Sequence, residues 1–511
     1  MGDIVVGSGP SGVAAAIALL ERGRSVTMID VGLALEPDRE ALRARLGASP
    51  PLDWSDADRT ALAGNRLAHA SDTMLAFGSD FIMRRPQGQT DWDGPASVHD
   101  LAPSFARGGL SNGWGAATLP YRQEDIADWP IGIAELAPHY RAAARLAQTT
   151  GGADDLTPLF PALPPEEERF LPMSRQAEKL LARFGRNRAA LERAGVRVGR
   201  ARQAVAPDCR RCGQCLHGCP YRLIFTAGEA LASLQASERF TYLPGHYVRS
   251  FAEAGGKAAV ETDQGRIEGD RLFLGAGVLP TALITLRALG TAAGTVTIKD
   301  SAHQYLPMLH PWSAGRPDRE ARHTLAQLFV EITDPSVSPH TVHAQIYTHN
   351  DTYAPDMRRR FGALAVLAEP LIQLMSRHLV VAQTFLHSDD SSSIAVRLEA
   401  SGRLGFEAIA NPAQPAAQAR AASAVARAAR RIGLLPLMPL LRSGRLGSSF
   451  HCGGSFPMRA APGPMETDAL GRLHGFERVY LIDASTFPSI PATTITLSVM
   501  ANAHRIAATA P

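Results

Sequence analysis

The first thirty residues carry the pattern that most constrains the fold. Ile4-Val5-Val6 forms a short apolar run, and the glycine turn Gly7-Ser8-Gly9-Pro10-Ser11-Gly12 follows it. An apolar stretch of helical length comes next, and then a second strand-like run that ends at Asp30. A strand, a glycine turn, a helix and a second strand in this order predict the first βαβ unit of a doubly wound, Rossmann-like sheet.

Each position of the glycine turn has a physical role in such a unit. Gly7 permits the tight turn, Gly9 lets the backbone approach a pyrophosphate, and Gly12 allows the helix to pack close to the strands. The helix N-terminus offers free N–H groups to the phosphates. Asp30 follows at about the 20-residue distance at which an acidic side chain accepts hydrogen bonds from a ribose. The pattern predicts a dinucleotide site. It does not by itself separate NAD from FAD, but its place at the start of the chain is typical of a flavoprotein.

The composition is that of an ordinary globular protein. Hydrophobic residues make up 45% of the 511 residues and charged residues 20%, which excludes a disordered chain, a collagen-like repeat and a small disulfide-stabilised protein. There are 52 basic against 49 acidic residues, and the arginines are interleaved with acids. We therefore expect no nucleic-acid partner.

No stretch has the features of a targeting or membrane-spanning segment. A strand-like run begins directly after Met1, and no run reaches the roughly 18 apolar residues that a spanning helix needs. We therefore expect a cytoplasmic protein. Two apolar stretches, 361–375 and 433–441, are interpreted as a core helix and a buried loop. The alternative is a patch that lies peripherally on a membrane or on a partner.

A second glycine-rich segment lies at 107–115. Four of its residues are glycine, and Ser111, Asn112 and Trp114 interrupt them. Such a segment is a costly place for a core element, because glycine loses more conformational freedom than other residues when it is fixed. It suits backbone that passes closely against a flat ligand, with Ser111 and Asn112 as hydrogen-bonding groups. The alternative is an ordinary glycine turn.

Four of the five cysteines fall in one short run. Cys209, Cys212, Cys215 and Cys219 have the spacing of a bacterial ferredoxin run and are followed by a proline. Three interpretations remain open. The first is a [4Fe–4S] or [3Fe–4S] cluster held by the first three cysteines, with Cys219 or another group as a fourth ligand. The second is a structural zinc ion, which the spacing disfavours because two separated knuckles are usual. The third is a set of buried thiols.

The rest of the chain predicts two structural layers. Strand-like runs around 242–274 return the chain to the first sheet, and the last of them ends at Gly275, where a doubly wound sheet places its ligand crevice. Residues 301–446 contain strand-like runs and then Ala-rich helical runs, which predict an antiparallel sheet with helices on one side. The predicted fold class is α/β (α+β overall). A Rossmann-like FAD-binding domain would comprise 1–300 and 447–511, with insertions near 40–105 and 150–205, and a substrate-binding or lid domain would comprise 301–446.

The C-terminal region resembles the glucose–methanol–choline (GMC) oxidoreductases. The resemblance rests on the segment that begins His451-Cys452-Gly453-Gly454 and on the run Val479-Tyr480-Leu481-Ile482-Asp483-Ala484 with the residues up to Leu497. The first 32 residues, the 109–115 loop and Asp128-Trp129-Pro130 resemble the family as well. The resemblance covers the FAD-binding half of the chain well, whereas the middle of the chain corresponds to the family only by its position in the sequence. Some branches of the family also contain cysteine-rich loops.

The resemblance implies bound FAD. It assigns the ADP part to the first glycine turn, the flavin to the second glycine-rich loop, and the adenine, pyrophosphate, ribityl and pyrimidine parts to later positions. The implied cofactor residues are Gly7, Gly9, Gly12, Asp30, Gly109, Ser111, Asn112, Gly115, Val248, Gly275, Asp483, Ala484 and Ile495.

The resemblance also implies a catalytic pair, of which this chain has one usual member. His451 matches the family's catalytic histidine, and a histidine can accept a proton from an alcohol near neutral pH. Thr494 stands where the family has Asn or His. A hydroxyl at this position can hold the substrate oxygen but cannot act as a base. His303, His343, His349 and His387 are further candidates to line the substrate pocket.

Three functions follow as hypotheses. The first is an FAD-dependent dehydrogenase of an alcohol, including sugars and polyols, that passes electrons through an iron–sulfur centre to a redox partner protein. Arg210, Arg211 and Arg222 beside the cysteines would favour an acidic partner. The second is an FAD-dependent oxidase that reduces O₂. The third is a catalytically weakened flavoprotein that serves as a binding or assembly subunit.

Overall fold

The computed structural model describes residues 2–64, 74–87, 91, 98–161, 163, 169–291 and 294–511. Parts of the insertions predicted near 40–105 and 150–205 lie outside these residues. The α-helices of the described chain are α1 (Pro10–Glu21), α2 (Pro37–Gly47), α3 (Asp56–Ala63), α4 (Ile133–Leu146), α5 (Arg175–Arg186), α6 (Arg188–Glu192), α7 (Ala227–Leu234), α8 (Val278–Leu289), α9 (Tyr353–Phe361), α10 (Ala365–His378), α11 (Gln414–Arg431) and α12 (Ile495–Thr509).

The strands of the described chain alternate with these helices along the sequence. They are β1 (Asp3–Val6), β2 (Val26–Ile29), β3 (Thr149–Thr150), β4 (Val196–Arg200), β5 (Gln203–Ala204), β6 (Phe240–Leu243), β7 (Val248–Ala254), β8 (Lys257–Thr262), β9 (Gly265–Gly269), β10 (Leu272–Leu274), β11 (Thr295–Asp300), β12 (His303–Leu309), β13 (Leu328–Ile332), β14 (Val342–Tyr347), β15 (Leu379–Phe385), β16 (Ser393–Leu398), β17 (Leu404–Ile409), β18 (Leu435–Pro436), β19 (Arg442–Ser443), β20 (Cys452–Gly453) and β21 (Val479–Leu481).

A parallel sheet of five strands, in the order β21-β10-β1-β2-β6, forms the centre of the first half. Successive side chains of a strand point to opposite faces, and β1 divides its apolar residues accordingly. Val5 packs with α1 and α12 on one face, whereas Ile4 and Val6 pack with α8 and the β7-β8-β9 meander on the other. Both faces are covered, as in a doubly wound sheet, so this part of the predicted fold class is confirmed.

The glycines of the first turn are required by how closely β1, α1 and β10 approach. A Cβ atom on Gly12 would overlap the carbonyl oxygen of Gly7, and one on Gly7 would overlap that of Gly275. Gly7 also has φ +96°, a conformation that L side chains rarely adopt. Around Gly9, in contrast, a Cβ atom would meet nothing within 4 Å. The turn therefore packs tightly against the sheet but leaves open space on its other side.

A second, antiparallel sheet carries the other half of the molecule. Its strands run in the order β18-β12-β15-β14-β13-β4, with β19 also paired to β12. Helices α5 and α11 cover one face, and their apolar residues form one buried cluster with the sheet. The predicted antiparallel sheet with helices on one side is confirmed.

Two strands cross the predicted domain boundaries. β4 comes from the stretch that the sequence assigned to an insertion of the FAD-binding half, yet it pairs with β13 at the edge of the second sheet. β11 precedes residue 301, yet it pairs with β16 on one side and with β20 on the other. The division into 1–300 plus 447–511 and 301–446 stays a prediction, and the strand pairing of β4 places 196–200 with the second sheet.

The apolar stretch 361–375 is not the core helix that the sequence predicted. It forms the end of α9 and most of α10, and it exposes Leu364, Val366, Leu367, Leu371 and Leu374. Their spacing of three and four residues places most of them on one stripe of the helix, but that stripe has no cover in the described structure. The stretch 433–441 is likewise only partly buried, because Leu435 and Leu440 are exposed.

Among the described residues, no helix has both the length and the apolar character needed to cross a membrane. A cytoplasmic location and a peripheral membrane contact stay predictions.

A buried ion pair ties the start of the chain to its end. Asp3 is fully buried and accepts hydrogen bonds from Arg271 at 2.6 and 2.9 Å and from Arg24 at 3.0 Å. Arg271 also donates to the carbonyl oxygens of Ala510 and Pro511. Burial alone would raise the pKa of Asp3, but the hydrogen bonds from the two arginines outweigh it and hold the pKa below its usual value. The stabilisation is therefore present above about pH 4 and is lost as the pH falls through the lowered pKa.

We predict that Asp3→Asn lowers the free energy of unfolding at pH 7 by about 3 kcal/mol or more, because it leaves Arg271 buried without its counter-charge. Urea denaturation at pH 7 and at pH 3 measures the effect, and the difference from wild type should shrink at the lower pH. Asp270→Asn is the control, since its pair with Arg24 is partly exposed and should contribute less than about 1 kcal/mol. Equal losses in the two variants would contradict the prediction.

Candidate active site

A cavity of about 910 Å³ runs from the first glycine turn to His451. At one end it is lined by Pro10, the first residue of α1, and along its length by residues 110–117 of the second glycine-rich loop. His451 and Thr494 line its other end. Segments that are far apart in the sequence thus enclose one continuous space, which is the shape that an elongated cofactor and a small substrate together require.

A smaller cavity of about 50 Å³ lies on the other side of the glycine turn. Gly7, Asp30 and Val248, three of the residues that the resemblance assigned to the ADP part of FAD, line it together with Tyr247 and Pro280. Gly9 lies between Gly7, which lines this cavity, and Pro10, which lines the large one, and the space around Gly9 is open. The backbone geometry at the turn therefore fits a pyrophosphate between an adenosine site and a flavin site.

Asp30 and the glycine-rich loop are joined through Ser8. The Ser8 hydroxyl donates to Asp30, and the backbone N–H of Ser8 lies 3.2 Å from the same carboxylate oxygen. The backbone N–H of Gly108 in turn donates to the Ser8 hydroxyl at 2.9 Å. Burial raises the pKa of Asp30 to about 6, although the hydrogen bonds from Ser8 favour its charged form. A buried carboxylate at this position is suited to bind ribose hydroxyls.

The side chains of Ser111 and Asn112 hold the loop rather than offering their donors to the cavity. Ser111 donates to the carbonyl oxygen of Gly108 at 2.6 Å and accepts from the N–H of Ala227 at 2.9 Å. The Asn112 amide donates to the carbonyl oxygens of Arg107 and Gly109. Both residues line the cavity. The sequence predicted that their side chains would hydrogen-bond a ligand, whereas in the structure their donors bind backbone carbonyl oxygens. The backbone of the loop is the part left to contact a flat ring.

A tight turn presents His451 to the cavity, and Asp300 at the end of β11 organises it. The Asp300 carboxylate accepts hydrogen bonds from the N–H of Gly447 at 2.9 Å, from the Ser449 hydroxyl at 2.5 Å and from the Cys452 thiol at 3.3 Å. The Ser449 hydroxyl in turn accepts from the N–H of His451. Burial raises the pKa of Asp300, and the hydrogen bonds oppose that rise.

The His451 ring stacks on Phe385, with centroids 4.7 Å apart and planes inclined by 18°. Its Nδ1 atom is buried and has no hydrogen-bond partner among the described residues. Burial, together with smaller contributions from the nearby His343 and His303, lowers the pKa of His451 to about 3. The imidazole is therefore neutral at ordinary pH, which is the form that can accept a proton.

Thr494 immediately precedes α12, and its hydroxyl oxygen accepts the N–H of Leu119 at 2.9 Å. This contact leaves the hydroxyl hydrogen free to donate into the cavity. The first N–H groups of α12 receive no side-chain cap from Thr494, which leaves them available as hydrogen-bond donors.

Several predicted cofactor residues do not line either cavity. Asp483 lies at the start of α8, where it accepts from the N–H of Gly277 at 2.9 Å and from the Thr281 hydroxyl at 2.6 Å, and burial raises its pKa. The predicted residues outside the two linings are Gly9, Gly12, Gly109, Gly275, Asp483, Ala484 and Ile495. Their predicted contacts with FAD stay predictions.

The four clustered cysteines line a further small cavity next to the large one. Cys215 and Cys219, together with Gly218 and Ile224, line both cavities, while Cys209 and Cys212 line the smaller one only. Its other walls are mainly apolar: Leu171, Val205, Leu223 and Leu325. Burial raises the pKa of the Cys212 thiol to about 12 and raises those of Cys209 and Cys215 as well.

Among the described residues, the four cysteine sulfur atoms do not converge as closely as a single zinc ion would require. Four sulfur atoms around zinc would stand about 3.8 Å apart, given Zn–S bonds of about 2.3 Å. The described residues whose ligand atoms cluster within 4.8 Å are His340, His387 and Asp389 rather than the cysteines. The backbone N–H of Thr324 points at the Cys215 sulfur at 3.5 Å, as N–H groups do at cluster ligands.

Sequence reasoning missed the wall of the cavity that faces His451. Tyr305, Gln345, Tyr347, Gln383 and Phe385 project from β12, β14 and β15. Their spacing of two along each strand was a usable signal, because alternate residues of a strand share a face. The candidates His303, His343, His349 and His387 do not line this cavity but are buried.

Comparisons with known proteins agree with this geometry. Residues 372–503 match the family model for GMC oxidoreductase. Over 174 residues the chain is 32% identical to paromamine 6'-oxidase from Streptomyces fradiae, and the match covers 32% of this chain and 26% of that protein. The matched part thus spans about a quarter of that relative. The structure of pyridoxine 4-oxidase from Mesorbium loti aligns with a TM-score of 0.59 over 99% of this chain and 98% of that one, at 17% identity, a similarity that concerns the fold.

We predict that Asp300→Asn disturbs the turn that presents His451. An amide in place of the carboxylate turns an NH₂ group toward one of the donors of the turn and leaves buried donors unpaired, at a cost of about 1–3 kcal/mol. Urea denaturation measures this loss, and anaerobic flavin reduction should slow at the same time. Asp334→Asn, in an exposed turn, is the matched control and should change neither. Unchanged stability and rate in Asp300→Asn would show that the turn does not depend on this carboxylate.

Proposed function

We propose that this chain is a member of the GMC oxidoreductase family, an FAD-dependent oxidoreductase that oxidises a CH–OH group of a small molecule. Bound FAD would supply the acceptor for the hydride of that carbon. The observation that carries the proposal is the continuous cavity that leads from the N-terminus of α1 to His451. The space is large enough for a flavin and leaves His451 and Thr494 at its far end.

His451 and Thr494 divide the work on the substrate hydroxyl. The neutral imidazole of His451 accepts the hydroxyl proton as the hydride leaves the adjacent carbon. Thr494 donates its free hydroxyl hydrogen to the substrate oxygen and so holds it at the imidazole. The stacking of His451 on Phe385 and the hydrogen bonds of the Asp300 turn fix the base in place.

The wall opposite the flavin region favours a neutral, hydroxyl-rich substrate such as a sugar or polyol. Gln383 donates to the Tyr305 hydroxyl at 3.1 Å, and the Tyr347 hydroxyl donates to Gln345 at 2.8 Å. Amides and phenols can both donate and accept hydrogen bonds, and they carry no charge near neutral pH. The two matched proteins are oxidases named for paromamine and for pyridoxine, which supports a small-molecule substrate.

The test of this function is anaerobic bleaching of the flavin absorption by a panel of sugars, polyols and other alcohols. Rapid bleaching by one class supports the proposal and names the substrate class. If no alcohol bleaches the flavin while dithionite does, the protein is the weakened flavoprotein of the third hypothesis.

We further propose that Cys209, Cys212, Cys215 and Cys219 hold an iron–sulfur cluster, which when bound would provide one-electron transfer. The shared wall at Cys215 and Cys219 supports this proposal, because it puts the cysteines directly beside the large cavity. Buried Arg322, whose backbone pairs with that of Cys212, supplies positive charge near the thiolates that a cluster needs.

A protein acceptor would dock near the cysteines. Arg210 and Arg211 are exposed there, whereas the charge of Arg222 is already paired with Glu40 and Glu229. The alternative acceptor is O₂. The word oxidase in the names of both matched proteins supports that alternative, and iron analysis separates the two.

We predict that flavin reduction by substrate changes little between pH 8 and pH 5. With a pKa of about 3, His451 stays in its base form over this range, whereas an ordinary histidine would lose activity by about 30-fold at pH 5. His451→Ala should lower the rate by about 100-fold or more at every pH. FAD content is measured at each pH, because Asp30 begins to protonate near pH 6. A steep loss of rate at constant FAD content would contradict the assignment.

We predict that Cys212→Ser removes iron and sulfide from the purified protein and slows reoxidation by a one-electron acceptor, while substrate still bleaches the flavin. Iron and sulfide analysis and the visible absorption below the flavin bands are the measurements. Cys452→Ser is the control for iron content, because this cysteine lies in the Asp300 turn. An iron-free wild-type protein would leave the cysteines as buried thiols and O₂ as the acceptor.

A further inference from the structure

Behind His451, four strands bring a row of side chains into register. Glu331 on β13 pairs with His343 on β14, and His343 pairs with Phe385 on β15. Phe385 in turn pairs with His303 on β12. Because directly paired residues share a face of a sheet, these four side chains lie side by side beneath the His451 ring that stacks on Phe385.

Glu331 and His343 form a buried dyad. The Glu331 Oε1 and His343 Nδ1 atoms lie 2.7 Å apart, and both side chains have no exposed surface. An ionised carboxylate can only accept, so the hydrogen must be on Nδ1 of His343. In the neutral ring the Nε2 atom is then a hydrogen-bond acceptor. This atom is buried and has no partner among the described residues.

Two more unpartnered nitrogens lie around the same phenyl ring. The Nδ1 atoms of His303 and His451 are both buried without a hydrogen bond. The centroids of His343, His303 and His451 are 6.2, 5.7 and 4.7 Å from that of Phe385. Buried polar atoms are nearly always satisfied, and a buried water molecule is a common partner for those that the protein itself leaves without one.

Charged groups from neighbouring elements complete the setting. Arg202, which follows β4, is buried and lies within electrostatic range of Glu331, so it supplies positive charge beside the dyad. Tyr305 contacts His303 on the side away from the dyad, with ring centroids 5.3 Å apart. The negative charge nearest to the imidazole row is thus Glu331 itself.

We propose that Glu331 and His343 are positioning residues for the base, an inference that rests on the proposed function of His451. The Nδ1–H of His451 donates through one buried water molecule to Nε2 of His343. This hydrogen bond fixes the tautomer of His451, with its Nε2 lone pair directed into the cavity. When His451 accepts the substrate proton, that proton remains on Nε2, and the ionised Glu331 stabilises the imidazolium through His343.

The test combines imidazole ¹⁵N NMR on histidine-labelled protein with flavin reduction. In wild type we expect one histidine signal, absent from His451→Ala, with the shifts of a ring protonated at Nδ1. Glu331→Gln keeps an acceptor for His343 but removes the charge, and His343→Gln removes the link. We expect both variants to average the two tautomers of His451 and to lower kcat by about 10-fold to 100-fold with little change in KM.

Glu407→Gln, on an exposed position of β17, is the control for loss of one negative charge and should leave both measurements unchanged. If Glu331→Gln and His343→Gln lower only the urea midpoint, while the His451 signal and kcat stay as in wild type, the dyad is structural and the proposal is wrong. If none of the alcohols tested reduces the flavin of the wild-type protein, the proposed function fails instead. The NMR signals still decide whether the dyad sets the tautomer, so the two failures are distinguishable.

Discussion

The close approach of three glycine backbones is the constraint on which the rest of the molecule depends. Gly12 lies against Gly7, and Gly7 lies against Gly275, so that α1 and β10 both sit directly on β1. On its other edge, β10 pairs with β21. The turn after β21 and the start of α12 then come to the same side of the sheet as the first glycine turn. Pro10, at the start of α1, and Thr494 and Thr496, at the start of α12, therefore line one cavity.

The second sheet supplies the wall of the large cavity that faces His451. Alternate residues of β12, β14 and β15 form that wall, so each successive row has its own chemistry. One row contains His303, Phe385 and His343 beside His451, and the next contains Tyr305, Gln383 and Gln345, all three of which line the large cavity. The polar side chains that face His451 are therefore carried on strands, which hold their geometry more firmly than loops do, whereas His451 itself lies in the turn that Asp300 organises.

Buried polar groups are of two kinds in this structure: some are fully hydrogen-bonded, and others are left without a partner. The Asp3–Arg271 pair is satisfied on both sides and joins the ends of the chain. Near the cavity, in contrast, the Nδ1 atom of His451 has no hydrogen-bond partner among the described residues, and burial raises the pKa values of the Cys212 and Cys215 thiols. Perturbed and unsatisfied groups of this kind concentrate at functional sites because the fold pays for them elsewhere.

The sequence by itself predicted the fold of the dinucleotide half and singled out His451 as a candidate, because both signals lie in short segments of the chain. The spacing of the glycines is set by the turn between one strand and the helix that follows it, so it can be recognised without knowing the rest of the fold. Asp30 follows at the end of the next strand. Only the tertiary structure decided that Ser111 and Asn112 bond within their own loop, that α10 is exposed, and that Glu331 stands behind His343. Those facts depend on which strands become neighbours. Strand pairing between distant segments is set by the burial of whole faces, and no short motif records it.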